Sequence, residues 1–181
     1  MPAVDAPNVV ARQLQKVSRW TREIVVPLSE DQLRWQPHVA APSIRFHLFH
    51  IARCADGLQN YIAEGNGQIW TREGIAARWG LEPEELGMGE NGATIAPEAA
   101  ERLPLPPKSD LLDYAERVLA ETDRVLAEVD DAAFGRVVSG WNGQPMAIGL
   151  LVADSLEHLS RHLGMIEALK GVQGLAGTAT I

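Results

Sequence analysis

The sequence predicts an all-α protein, most simply a four-helix bundle. Three observations predict it. Four stretches carry apolar residues at helical period, proline or glycine punctuates their ends, and no two segments alternate as paired strands would. The chain has 181 residues, 46% of them hydrophobic, which is enough for one domain with a real core.

The first helix is expected over residues 8–26, with Val10, Leu14, Val17, Thr21, Ile24 and Val25 on one face and Pro27 ending it. In LSEDQLRWQP, Ser29 and Gln32 fit a capping box, so a short turn of helix is expected before Pro37. The second helix starts after Ser43, a good N-cap, and runs to about residue 63. Its inner stripe is His47, His50, Cys54, Leu58 and Tyr61, with Ile51 and Ile62 beside it.

Residues 65–108 break the pattern with recurrent glycine and proline. A connection this long reads as an ordered cap or interface segment, with short helical pieces near 73–79 and 97–102. Trp70, Ile75, Trp79 and Leu81 need something to pack on. Ser109 is the expected N-cap of the third helix, whose stripe is Leu112, Ala115, Val118, Leu119, Thr122, Val125, Leu126 and Val129. Pro145 suits the first position of the fourth helix, which should run to about Lys170 and stop at Gly171. Its expected inner face is Leu151, Asp154, Ser155, His158, His162, Met165, Ile166 and Leu169. The expected organisation is one domain over residues 1–172 and a flexible tail over 173–181.

The formal net charge is −8, which argues against binding duplex nucleic acid or docking on an anionic membrane. Cys54 is the single cysteine, so there is no internal disulfide, no thiolate zinc knuckle and no CxxC motif. The opening MPAVDAPNVVARQLQK does not read as a secretory signal, and no apolar stretch reaches membrane-spanning length. The expectation is a cytoplasmic protein that acts on a small molecule.

Four of the five histidines fall in two close pairs, His47 with His50 and His158 with His162. Residues four apart on a helix share a face, with Cβ atoms about 5–6 Å apart. Neutral imidazole is the commonest protein ligand for transition metals. Buried imidazoles need partners for their nitrogens, and a metal shared between two helices supplies them. The competing reading pairs His47 or His50 with a buried carbonyl or with a carboxylate such as Asp154. Three histidine ligands would leave open coordination positions, as catalytic sites do; four would make a closed site. Leu159 stands where a zinc protease carries its glutamate base, so that motif is absent. Asp154, one turn before His158, could act as a base, orient His158 through its second nitrogen, or ligate. Cys54 reads as plain core. Arg53 and Arg161 could grip an anion, but both read as surface residues. LGMGENG follows no strand and is given no phosphate role.

Three blocks then carry a resemblance: LSEDQLRWQP, SIRFHLFHIARCADG and EHLSRHLGMIEALKG. In these the chain resembles the DinB/YfiT-like putative metalloenzymes, from the first helix to about Gly171. The resemblance implies a four-helix bundle, often dimeric, with a divalent-metal site. It places the ligands at His50, which directly precedes Ile51-Ala52, and at His158 and His162 of the HxxxH block, and leaves His47 without direct contact to the metal. The family often continues HRGQ where Leu163 and Met165 stand here. Some members are thiol-dependent S-transferases. The resemblance thus implies a metal-dependent thiol S-transferase using zinc or nickel, a low-molecular-weight thiol and a small-molecule substrate, in a homodimer. The alternatives are a metal-dependent hydrolase and a non-catalytic, stress-associated metal-binding bundle.

Overall fold

The computed structural model describes residues 6–63, 67–81 and 103–177. Four long helices build it: α1 (Ala6–Val25), α3 (Ile44–Ile62), α6 (Lys108–Ala127) and α8 (Ile148–Val172). Between them lie the short helices α2 (Glu30–Arg34), α4 (Ile69–Arg72), α5 (Ile75–Trp79) and α7 (Asp131–Gly135), and a hairpin of β1 (Val137–Ser139) and β2 (Pro145–Ala147). The all-α expectation holds, with this small hairpin as an addition.

The expected caps hold at two helix starts. Ser29 Oγ accepts from Gln32 N at 3.2 Å while Ser29 N donates to Gln32 Oε1 at 2.7 Å, so α2 has its capping box. Ser43 Oγ accepts from Phe46 N at 3.3 Å and opens α3. Elsewhere the boundaries differ. Pro107, not Ser109, is the N-cap of α6, and the Ser109 hydroxyl bonds Asp110 instead. Pro145 lies in β2 rather than opening the fourth helix, which begins at Ile148. The hairpin pairs Val137 with Ala147 and Ser139 with Pro145, and Gly143 (φ +76°) supplies the left-handed turn residue. Three-residue strands are too short for alternation to register in a sequence.

The long helices form a ring in the order α1, α6, α3, α8. The first and second long helices therefore sit on one diagonal and the third and fourth on the other, and α3 packs against α6 and α8 rather than α1. The core between them includes Leu14, Phe49, Leu58, Leu111, Tyr114, Leu119, Leu151 and Ile166. In α6, Leu111 and Tyr114 are buried where the expected stripe had half-buried Leu112. In α8 the core stripe runs through Val152, Ser155, Leu159, Leu163 and Ile166. Asp154 is exposed and Met165 is 44% exposed, so neither belongs to the inner face. The helix is rotated from the expected orientation, and the histidines stand at the edge of its buried stripe.

The described part of the long connection packs on the bundle. Ile69, Ile75, Leu81, Leu103 and Leu105 are buried, and Trp70 and Trp79 sit in a ring cluster with Phe49 and Tyr114. The helical piece expected at 97–102 lies outside the described residues. Asp56 ties the segment down: its carboxylate accepts from Ile69 N, Trp70 N and Tyr114 Oη, each at 2.8 Å, and from Arg53 Nη1 at 3.2 Å. Arg53 also bonds Gln68 and lies over the Trp70 ring. It is 3% exposed, so it is neither a surface residue nor a free anion grip. After α8, Gln173 Nε2 donates to Gln32 O at 3.1 Å and Leu175 packs against the core.

Candidate metal centre

Where α3 lies against α8, the two histidine pairs meet. α3 is buried nearly all round, so His47 and His50 are interior. His158 and His162 are half-buried. His50 Nε2 lies 2.9 Å from His158 Nε2, and His47 Nδ1 lies 2.9 Å from His162 Nδ1. The His162 ring centre is 4.4 Å from that of His50 and 4.6 Å from that of His158. One ring nitrogen from each of His50, His158 and His162 lies within 4.8 Å of the other two. Ligands about 2.0–2.1 Å from one zinc ion lie at most about 4.2 Å apart, so small side-chain rotations bring these three into register. His47 and Cys54 are not part of this group of three.

The protonation states suit ligation. Burial pushes His47 and His50 down to about 4 and His162 down to about 3, with the neighbouring imidazoles adding to the effect on His50 and His162. His158 is lowered as well, by burial first and by Arg161 second. All four rings are neutral at pH 7, the form with a lone pair to give. Phe46 stacks on His50 with ring centres 5.7 Å apart, which fixes that ring's plane. His50 Nδ1 is buried and finds no hydrogen-bond partner among the described residues, so Nε2 is the nitrogen that engages its neighbours. The donor set fits a borderline transition metal such as zinc or nickel.

The other candidates divide. Cys54 Sγ comes within 3.5 Å of His50 Nε2, so it borders the site rather than being plain core. Burial pushes its thiol up to about 12, which keeps it protonated. Asp154 makes no hydrogen bond to His158 among the described residues, so it does not orient that ring. Arg161 is exposed and pairs with Glu157 at 3.4 Å. The Asp56 cluster went unread in the sequence. Its signal was an Arg-x-x-Asp spacing inside an apolar helix, where an isolated charge would be costly.

Four helices with a histidine cluster between the second and fourth long ones define a class, a helical bundle with a candidate metal centre. The chain belongs to the DinB superfamily, which it matches over residues 13–166. Solved structures share the fold, two of them over nearly the whole chain. One is a conserved protein from Enterococcus faecalis, with TM-score 0.74, 15% identity, and 93% of this chain and 96% of that chain covered. The other is YfiT from Bacillus subtilis, described as "a probable metal-dependent hydrolase with an unusual four-helix bundle topology", with TM-score 0.56, 14% identity, and 94% and 89% covered. Among curated proteins nothing matches.

Proposed function

We propose that the chain is a divalent-metal-dependent enzyme in which His50, His158 and His162 hold the ion and a low-molecular-weight thiol is the activated co-substrate of an S-transfer to a small-molecule electrophile. The observation that carries the reading is the convergence of three neutral imidazoles from α3 and α8, two of them half-buried. That half-exposure leaves one side reachable from solvent, as a closed four-ligand site would not. A bound ion supplies Lewis acidity, lowering the pKa of an incoming thiol or water. The protein's own residues favour the thiol. No carboxylate joins the group among the described residues, and Asp154 is exposed, which supports the thiol reading over activation of water by a neighbouring base. Cys54, held protonated, does not compete as the nucleophile.

The second reading is hydrolysis, supported by what is said of YfiT. The two separate cleanly in a titration of Co(II)-loaded protein. The S-transferase reading predicts a new sulfur-to-metal absorption band on adding a cellular thiol, and thiol-dependent loss of a model electrophile. An unchanged spectrum with every thiol tried, together with ester or amide cleavage in their absence, would favour hydrolysis.

A further inference from the structure

We propose that His47 is a positioning residue for the candidate metal centre: its Nδ1 accepts a hydrogen bond from Nδ1–H of His162, and so presents Nε2 of His162 as the ligating nitrogen. The inference rests on the three-histidine reading above. Its basis is the 2.9 Å contact between the two Nδ1 atoms, with ring centres 5.1 Å apart. One nitrogen of such a pair must carry the hydrogen and the other must accept. A neutral imidazole bears hydrogen on one nitrogen alone, so donation from Nδ1 leaves a bare lone pair on Nε2. Rings that ligate metals usually have their second nitrogen held in this way, by a carboxylate or a carbonyl. Here an imidazole does it, and among the described residues His47 is the one hydrogen-bond partner of the His162 side chain.

His47 is suited to the task by rigidity. It is 3% exposed, is held in the first turn of α3 by its N–H bond to Ser43 O, and meets the Phe46 ring edge-on at 5.9 Å. It is not a fourth ligand, since it falls outside the group of three. His50 and His158 differ from His162 in this respect: they face each other through Nε2, and neither has its Nδ1 held by a side chain among the described residues.

The test is zinc affinity of the full chain, by competition with a chromophoric chelator, in wild type, His47→Ala, His47→Gln and His50→Ala. Loss of the second-nitrogen partner should weaken binding about 10–100-fold in His47→Ala. His47→Gln, whose amide oxygen can accept from Nδ1–H, should restore most of the loss. A long-range ¹H–¹⁵N spectrum of the zinc-loaded wild type should show His162 protonated at Nδ1. Wild-type affinity in His47→Ala, with binding lost in His50→Ala, overturns the role of His47 and leaves the three-histidine reading intact. Wild-type affinity in both variants overturns that reading itself. Should His47→Ala fail to fold, the spectrum decides: a hydrogen on Nε2 of His162 refutes the proposal.

Discussion

At the scale of single residues, two kinds of buried polar group hold this interior together. Asp56 is fully buried, yet Arg53, Tyr114 and two backbone N–H groups satisfy its carboxylate. Removing one partner of such a cluster strands the others in a dry core. Asp56→Ala should therefore cost about 3–5 kcal/mol, read as a lower urea midpoint. A loss below about 1 kcal/mol, the range of exposed ion pairs, would show that the cluster is not buried as described. The histidines are the opposite case, buried neutral. Their pKa values fall from about 6.5 in an unfolded chain to about 4 for His47 and His50 and about 3 for His162 in the folded one. Between these values the unfolded chain binds more protons, so stability rises with pH. The contribution is complete above about pH 6.5 and drains away as the pH falls toward 4 and 3. The Tm of metal-stripped protein should drop on acidification from pH 7 to about pH 4.5; a flat profile would contradict the burial of these rings.

At the scale of elements, α3 is the centre of the molecule. It carries two of the site's four histidines and the Arg53–Asp56 pair, and it contacts α6, α8 and the short helices α2 and α4. The sequence showed α3 and its ends well, because Ser43 is a clean cap and Gly-rich chain follows Tyr61-Ile62. It showed α8 less well. A face wide enough to hold both Leu159 and His158 gives apolar matches in several rotations, so Asp154 and Met165 read as inward although they are not. Nor did it show the hairpin, whose strands are three residues each. At that junction a Cβ on Gly149 would stand 2.6 Å from the Phe134 ring, so α7 seats against α8 only where a side chain is missing. Gly149→Ala should cost about 1–3 kcal/mol by overpacking, with the metal centre untouched. Calorimetry showing no loss of stability would mean that the ring moves aside freely.

At the scale of the whole molecule, topology makes the site. With α1 diagonal to α3 and α6 diagonal to α8, α3 and α8 become neighbours although about a hundred residues separate their histidines. Composition and periodicity cannot dictate ring order, since any arrangement of four amphipathic helices buries the same stripes. The histidine pairs were legible as chemistry because imidazoles inside apolar stretches need partners; their mutual contact came from the packing of helices distant in the chain. An ion bound across that seam should stabilise the fold by about 2.7 kcal/mol at a free concentration of a hundred times Kd. Zinc should raise the wild-type Tm and leave that of His50→Ala where it was. The most direct measurement of the central claim is metal content per chain, by elemental mass spectrometry, in protein purified without a metal-affinity column. The account predicts close to one divalent ion in wild type and near none in His50→Ala or His162→Ala. Wild-type content in both variants would contradict it.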